Sequence, residues 1–218
     1  MEVSISGAVS VLPRIGDKAP DFEALTTIGT IKFSEYAKNS WVILFSHPAD
    51  FTPVCTTELV EFAKEIDFFN KHNTKLIGLS VDSIHSHIAW VQNIKEKLGV
   101  TLSYPLVADI SMNVARLYGM LHPGESQTAT VRAVFFIDPH MTIRLVLYYP
   151  LNVGRSMEEI KRVLISLQTA DNYSCALPAN WQPGQKVIVP PPKTLQELEE
   201  RVKANYEKVD FYLAKREL

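Results

Sequence analysis

The sequence predicts an α/β fold in which a mixed β-sheet carries helices on both faces. The run at residues 41–45 is apolar throughout and rich in β-formers, as expected of a central strand covered on both faces. Segments spaced like strands then alternate with segments spaced like amphipathic helices. Two β-rich runs further along the chain meet at a short turn, which adds an antiparallel pair to the sheet.

The first predicted elements are a hairpin and a strand followed by a helix. Residues 17–27 and 31–33 flank a turn at residues 28–30, which is typical of a short hairpin. After the apolar strand, apolar side chains recur every three or four positions over residues 56–72. This spacing predicts one amphipathic helix.

The alternation of strand and helix then repeats. Residues 75–81 are predicted as a strand, and the helix that follows places Ile84, Ile88, Val91 and Leu98 on one face. This face is expected to be the buried one.

The next elements are short and end in a second hairpin. Residues 106–108 are predicted as a strand and residues 112–118 as a helix. The β-rich runs 131–137 and 143–149 are joined by a turn at residues 138–140.

A capping box, Ser156 with Glu159, opens the next predicted helix. The apolar side chains that share one face of this helix are Met157, Ile160, Val163, Leu164 and Leu167. The alternating strands and helices end with this helix, so we place a first domain at residues 1–170.

Residues 171–218 are predicted to form a C-terminal extension. Five of the sixteen residues in 177–192 are proline, which makes this stretch stiff and extended. A second capping box, Thr194 with Glu197, begins a helix. The apolar residues expected on its face are Leu195, Leu198, Val202 and Val209. We expect this helical arm to pack on a partner subunit.

Composition and charge argue against several classes of function. The 218 residues are 46% hydrophobic and 21% charged, with a net charge of −2, so bulk electrostatics attract neither nucleic acid nor an anionic membrane. No stretch is long and apolar enough for a membrane span. Residues 1–13 lack the features of a secretory signal, and two cysteines are too few for a disulfide framework. A cytoplasmic location is expected.

The segment 47–55, HPADFTPVC, carries the candidate chemistry. Thr52 suits a helix N-cap and Pro53 the first helical position, so Cys55 is expected in the first turn of the helix. A helix N-terminus favours negative charge and therefore a nucleophilic thiolate. The alternative is a buried cysteine that serves only as an apolar side chain.

The neighbours of the cysteine argue against an ordinary dithiol enzyme. Thr52 stands where a thiol-disulfide exchanger has its first cysteine, and the chain contains no Cys-x-x-Cys. The hydroxyl of Thr52 is instead placed to hydrogen-bond the thiolate or a substrate oxygen, and Pro48 to shield the sulfur from water.

The pattern Pro48-x-x-x-Thr52-x-x-Cys55 is the signature of the peroxiredoxins, and HPADFTPVCTTE at residues 47–58 resembles their one-cysteine, peroxiredoxin-6-type subfamily. Further similar segments, from KAPDFEA to PANWQPGQKVIVPPP, extend the resemblance over nearly the whole chain. The resemblance implies a thioredoxin fold with an N-terminal hairpin. It also implies a C-terminal arm that reaches across a homodimer, alone or within a ring of dimers.

By this resemblance Cys55 is the peroxidatic cysteine, which attacks a hydroperoxide and becomes a sulfenic acid. Thr52 binds the peroxide, Pro48 shields the sulfur, and Arg132 stabilises the thiolate and the developing charge. Arg155 resembles a second, supporting arginine. The alternatives are a surface charge at a strand edge for Arg132 and a solvated residue at a helix start for Arg155.

Two further residues are assigned supporting roles. His47 resembles a histidine that the subfamily keeps beside the sulfur, for hydrogen bonding or proton handling, with a structural histidine as the alternative. Glu58 is interpreted as a first-turn helix acid that orients site groups. His85 and His87 have no carboxylate or cysteine at ligand spacing, so no metal and no cofactor is expected.

Cys175 decides between mechanistic subclasses. It stands in NYSCALPANW rather than in the Val-Cys-Pro context of a resolving cysteine, so a one-cysteine cycle with an external thiol or other small reductant is favoured over a Cys55–Cys175 disulfide. The expected function is reduction of hydrogen peroxide and organic hydroperoxides in antioxidant defence. A thiol-disulfide reductase and a holdase chaperone or redox-signalling protein are the alternatives.

Overall fold

Helices and strands alternate along the chain, as the computed structural model describes it for residues 12–218. The expectation about a signal segment falls almost entirely on residues that lie outside this range. The strands are β1 Glu23–Thr26, β2 Gly29–Lys32, β3 Trp41–Ser46, β4 Thr74–Ser80, β5 Leu106–Ala108, β6 Arg132–Ile137, β7 Ile143–Tyr149, β8 Val187–Val189, β9 Glu207–Asp210 and β10 Leu213–Arg216. The helices are α1 Phe33–Tyr36, α2 Pro53–Lys64, α3 Ile66–Lys71, α4 Ile84–Leu98, α5 Asn113–Leu117, α6 Met157–Tyr173 and α7 Leu195–Lys203.

Within the described residues, seven strands form one mixed sheet in the order β2-β1-β5-β4-β3-β6-β7. Strands β3, β4 and β5 are parallel, whereas β6 runs antiparallel to β3 and pairs with β7. The predicted N-terminal hairpin is confirmed as β1 and β2, and the predicted second hairpin as β6 and β7. The prediction of a mixed α/β sheet is therefore correct.

Strand β3 is buried along its whole length, because helices cover both faces of the sheet around it. On one face Phe45 stacks on Phe62 of α2, with ring centroids 4.0 Å apart. On the other face Val42 and Leu44 belong to a core that includes Ala115 of α5. A strand in this position needs apolar residues on both sides, which explains its uninterrupted apolar run.

The single helix predicted over residues 56–72 is instead two helices. Helix α2 begins earlier, at Pro53, and the chain leaves helical geometry at Glu65 before α3 begins. The ring of Phe69 in α3 is buried 6.3 Å from that of Phe62 in α2. The change of direction at Glu65 therefore keeps both rings in the core.

The face predicted for α4 is wrong. The buried residues of this helix are His87, Trp90 and Ile94, while Ile88 is 54% and Leu98 52% exposed. Apolar periodicity missed this face because a buried histidine, which is hydrogen-bonded inside the protein, forms part of it.

The chain divides into two compact units, one ending at Arg155 and the other comprising Ser156–Leu218. In the second unit, the predicted start of α6 is confirmed at Ser156, whose side chain accepts a hydrogen bond from the Glu159 amide, while the Glu159 carboxylate pairs with Arg162. Thr194 caps α7 in the same way, by accepting from the Glu197 amide.

The C-terminal extension is more than the predicted helical arm on a tether, because it also contains three β-strands. Strands β8, β10 and β9 form a three-stranded sheet, and the proline-rich stretch supplies β8. Helix α7 ends at Lys203, so Val209 lies in β9 and not on the helix face where it was predicted. The Lys208 ammonium donates to the carbonyls of Arg201, Val202 and Ala204, which closes the end of α7.

None of the helices in the described part of the chain combines the length and the apolar character that a membrane span requires.

Candidate active site

Cys55 lies in the first turn of α2, as predicted, and is fully buried. Thr52 is the N-cap residue in an extended conformation, and Pro53 takes the first helical position, where its missing N–H costs nothing. The Thr52 hydroxyl does not cap the helix. It donates instead to the Ala49 carbonyl at 2.8 Å, which turns the oxygen lone pairs away from that contact.

Arg132, the first residue of β6, contacts the sulfur directly. Its Nη1 lies 3.3 Å from Cys55 Sγ and donates to the carboxylate of Glu58 at 2.7 Å. Its Nε and Nη2 both donate to the Leu151 carbonyl, at 3.0 and 2.6 Å. Contacts on both sides fix the plane of the guanidinium, so Nη1 stays directed at the sulfur.

Glu58 connects the two arginines. It lies in the second turn of α2, so its interpretation as a first-turn acid is wrong. Its carboxylate accepts from Arg132 and also from Arg155, whose Nε and Nη2 donate at 2.9 and 2.7 Å. Burial opposes ionisation of Glu58, but the two guanidinium charges and these hydrogen bonds outweigh it and hold the pKa of the carboxyl below its ordinary value.

Arg155 is buried and has no solvated surface role. Its Nη1 donates to the carbonyls of Ser46 and Ala133, which tie it to β3 and β6. The guanidinium carbon also lies 5.2 Å from the ring centroid of Phe45 and 5.6 Å from that of Phe62. The surface alternatives for Arg132 and Arg155 are therefore wrong, since the two residues are only 3% and 7% exposed.

The buried charges of this network are unequal in number. Two guanidinium groups, from Arg132 and Arg155, face the single carboxylate of Glu58. Buried charges require partners, and Arg132 Nη1 also contacts the Cys55 sulfur, at 3.3 Å. The network therefore holds a guanidinium group against the sulfur atom.

The end of β3 and the loop that follows it are anchored to β6 and to the two residues before β6. The Ser46 hydroxyl donates to the Val131 carbonyl at 2.6 Å and accepts from the Ala133 amide at 3.1 Å. The Thr130 hydroxyl donates to the His47 carbonyl at 2.8 Å. Pro48 follows in this loop and is half-buried.

His47 lies in a buried polar cluster rather than in the Glu58 network. Its Nε2 lies 2.9 Å from one oxygen of Asp50, and Nδ1 of His87 lies 2.8 Å from the other. His87 therefore has a carboxylate partner in space, although none stands at ligand spacing in the sequence. Sequence spacing concealed this contact because Asp50 and His87 lie 37 residues apart.

The His47, Asp50 and His87 side chains are also the kind of group that holds a metal ion. One ligand-type atom from each lies within 4.8 Å of the others. Their ring nitrogens and carboxylate oxygens already pair with one another by hydrogen bonds, which account for the cluster without an ion. His85, by contrast, is exposed.

Cys175 belongs to the second compact unit. It is half-buried, and its thiol lies 3.8 Å from the Thr169 carbonyl. Both cysteines of the chain are free thiols.

Sequence reasoning missed two participants in the site. The Leu151 carbonyl, which holds Arg132, carries no side-chain signal at all. Asp50 stands near Cys55 in the sequence, but its position does not show that both oxygens bind histidines. Nothing local in the sequence indicates either contact.

A buried thiol at a helix start, hydrogen-bonded by a guanidinium and without a second cysteine in its turn, defines a cysteine-based redox enzyme. Comparison with known proteins narrows the family to which this chain belongs. The model of the AhpC/TSA family matches residues 15–146, and that of the C-terminal domain of 1-Cys peroxiredoxin matches residues 166–205.

Relatives and solved structures agree with these matches. A peroxiredoxin of Aquifex aeolicus is 52% identical over 217 residues, covering 95% of this chain and 98% of the relative. One of Hyperthermus butylicus is 54% identical over 195 residues, covering 88% and 84%. Among solved structures, a yeast mitochondrial 1-Cys peroxiredoxin has a TM-score of 0.86 at 43% identity, covering 95% of this chain and 100% of that one. Peroxiredoxin 6 of Arenicola marina has a TM-score of 0.85 at 38% identity, covering 94% and 97%.

The chain belongs to the peroxiredoxin family, in its one-cysteine subfamily. It has the thioredoxin fold and is a thiol-dependent peroxidase.

Replacing Glu58 by Gln should destabilise the first unit by about 3–5 kcal/mol, because it leaves two buried guanidinium groups without an anionic partner. Urea unfolding measures the change. Glu61→Gln on the same helix is the matched control, since Glu61 is exposed and pairs with Lys64 at the surface. It should change stability little.

The effect of Glu58→Gln should also depend on pH. The folded pKa of Glu58 lies below its ordinary value of 4.5, so ionisation stabilises the fold above that value and is lost as the pH falls through the lowered folded pKa. The difference between the wild type and Glu58→Gln should therefore be constant near neutral pH and shrink in acid. A difference that does not change with pH would contradict the role given to this carboxylate.

Proposed function

We propose that Cys55 is the peroxidatic cysteine of a one-cysteine cycle that reduces hydrogen peroxide and organic hydroperoxides. The thiolate sulfur attacks the terminal peroxide oxygen, so that an S–O bond forms as the O–O bond breaks. The leaving oxygen takes up a proton and departs as water or an alcohol. Cys55 is thereby oxidised to a sulfenic acid.

The observation that carries this proposal is the Arg132 Nη1–Cys55 Sγ contact at 3.3 Å. Arg132 keeps its charge at every working pH and is held by Glu58 and the Leu151 carbonyl. A preorganised cation beside the sulfur stabilises the thiolate and the negative charge that develops on the peroxide oxygens.

Thr52 and Pro48 complete the site in this proposal. The Thr52 hydroxyl donates its hydrogen bond to the Ala49 carbonyl, so its oxygen faces the peroxide as a hydrogen-bond acceptor. Pro48 has no N–H, and its ring shields the sulfenic acid from water. Both residues lie in the loop that Thr130, two residues before β6, anchors through the His47 carbonyl.

Glu58, Arg155 and His47 support these groups. Glu58 orients Arg132, and Arg155 holds Glu58 while it ties α2 to β3 and β6. His47 takes part through hydrogen bonding beside the reaction site.

The reductant that we propose is an external thiol. One thiol attacks the sulfenic sulfur and releases water, and a second displaces the first from the mixed disulfide to regenerate the Cys55 thiol. The thiol resolving mechanism of the yeast mitochondrial relative runs via glutathione and thioredoxin systems, which supports this class of reductant. The free thiol of Cys175 then has no part in the cycle.

The second compact unit supports self-association as a homodimer or a ring of dimers. Several of its apolar side chains are solvent-exposed in the single chain, which favours a protein partner. The exposed residues are Leu195, Val202, Val209, Phe211 and Tyr212. The cytoplasm is the proposed compartment, because its reducing environment keeps unpaired cysteines such as Cys55 and Cys175 as thiols.

Oxidation by one equivalent of hydrogen peroxide should give a sulfenic acid on Cys55 while Cys175 stays free. Stopped-flow kinetics with a sulfenic-acid trap, followed by mass spectrometry of both cysteines, measures this. Cys55→Ser should abolish peroxide consumption, and Cys175→Ser should leave thiol-dependent turnover unchanged. A Cys55–Cys175 disulfide would instead establish a two-cysteine cycle.

Thr52→Val should slow oxidation of Cys55 by about a hundredfold, because the variant keeps the side-chain volume and loses the hydroxyl. Thr57→Val on the same helix is the matched control, since the Thr57 hydroxyl is exposed and donates only to the Val54 carbonyl. The pre-steady-state rate of Cys55 oxidation is measured for both variants. Equal rates for the two would remove Thr52 from the site.

Replacing Leu195 and Val209 by Glu should weaken the homodimer, because both side chains are exposed and apolar in the single chain. Sedimentation velocity over a range of concentrations reports the association. Lys203→Glu, which changes charge at an exposed position of α7, serves as the control. An unaltered dimer in the double variant would show that these residues lie outside the interface.

A further inference from the structure

Three side chains form a fully buried hydrogen-bonded cluster at the loop between β3 and α2. The side chains of His47 and His87 are 0% exposed and that of Asp50 is 1% exposed. The two oxygens of Asp50 are divided between the rings: one lies 2.9 Å from His47 Nε2 and the other 2.8 Å from His87 Nδ1. The second ring nitrogen of His87 lies 3.1 Å from the Val107 carbonyl.

The hydrogen-bond donors and acceptors of this cluster indicate which nitrogen of His47 carries the proton. Burial opposes ionisation of Asp50, but hydrogen bonds from both imidazoles outweigh it and hold the pKa of this carboxyl below its ordinary value. An ionised carboxylate only accepts hydrogen bonds. His47 therefore donates to Asp50 from Nε2, and His87 donates to it from Nδ1.

His47 is left with one nitrogen that has no such contact. Burial lowers the pKa of His47, although Asp50 acts in the opposite direction, so the ring is neutral and Nδ1 carries a lone pair. This atom is buried and hydrogen-bonded to no atom of the described residues. A buried acceptor without a partner is costly, so its persistence requires the ring to be held by other contacts.

The backbone and the ring of His47 are held by contacts on several sides. Its amide donates to the Leu79 carbonyl at 2.9 Å, and its carbonyl accepts from the Thr130 hydroxyl. The ring packs 5.3 Å from that of Trp90, centroid to centroid. Pro48 follows directly in sequence, so the ring is attached to the start of the segment that ends at Cys55.

We propose that Asp50 and His87 are positioning residues that hold His47 in the Nε2–H tautomer, so that its Nδ1 lone pair accepts a hydrogen bond from an O–H group during peroxide reduction. Asp50 sets the tautomer by accepting from Nε2, and His87 fixes Asp50 by holding its other oxygen. The part that concerns catalysis rests on the proposed peroxidase function. The tautomer itself does not.

A metal ion in the same cluster would require the opposite arrangement of protons. Histidine binds zinc through an unprotonated nitrogen. An ion between His47 Nε2 and Asp50 would therefore move the His47 proton to Nδ1 and remove the acceptor. The protonation state of the two His47 nitrogens distinguishes the two cases.

The direct test is an NMR spectrum of the reduced full-length protein labelled with ¹⁵N-histidine, in which two-bond couplings identify the protonated nitrogen of each ring. The chain contains six histidines, and His85→Asn and His87→Asn assist their assignment. We expect His47 to be protonated only at Nε2. A proton on His47 Nδ1, or stoichiometric zinc in the purified protein, would overturn the proposal.

Kinetics of variants test the positioning role. His87→Leu, which removes the donor to Asp50, should slow a step of the Cys55 cycle by about tenfold, the value of one hydrogen bond. His87→Asn keeps an N–H donor near the position of Nδ1 and should restore most of the rate. His85→Asn is the matched control on the same helix, because His85 is exposed and lies outside the cluster.

Near-UV circular dichroism shows whether each variant remains folded. The ¹⁵N NMR spectrum of the same variant reports the tautomer of His47. Asp50→Asn can donate its amide N–H to His47 Nε2 and should move the proton to Nδ1, with the same loss of rate. Wild-type rates in folded His87→Leu and Asp50→Asn would refute the positioning role. Absence of any peroxide reaction in the wild type would refute the peroxidase function instead, while the spectrum would still decide the tautomer.

Discussion

The neutralisation of two buried arginines by one carboxylate is the constraint on which the rest of the site depends. Glu58 holds Arg132 and Arg155 at once, and all three side chains are nearly inaccessible to solvent. The sulfur of Cys55 lies 3.3 Å from the same Arg132 guanidinium. The contacts that pair the buried charges of the core therefore also fix the guanidinium that faces the sulfur.

Sheet topology explains how these residues, distant in sequence, meet at one place. Strand β6 runs antiparallel to β3, with Phe45 paired to Val134, so the first residue of β6 lies beside the end of β3. Helix α2 begins just after that end, which brings Arg132 to the start of the helix that carries Cys55. Because both partners belong to hydrogen-bonded elements, the 3.3 Å contact does not depend on loop flexibility.

Much of the fold and part of the site follow from local signals in the sequence. Thr52 and Pro53 mark the helix start and so place Cys55 in the first turn, and the capping residue Ser156 marks the start of α6. The pairing of Arg132 with Glu58 has no local signal, because the two residues are 74 positions apart and only the sheet brings them together. For the same reason sequence reasoning alone favoured a surface charge at Arg132, and only the family resemblance indicated its role.

The wrong face predicted for α4 shows what apolar periodicity leaves out. Rotating the helix to bury Ile88 would gain about 1.5–3 kcal/mol, whereas exposing Trp90 would lose about 4–6 kcal/mol from an indole that buries some 150–250 Å². The same rotation would withdraw His87 from Asp50 and leave a buried carboxylate short of a donor. The helix therefore buries a histidine and exposes an isoleucine, since the size of one ring and the pairing of one carboxylate outweigh the number of apolar residues on the other face.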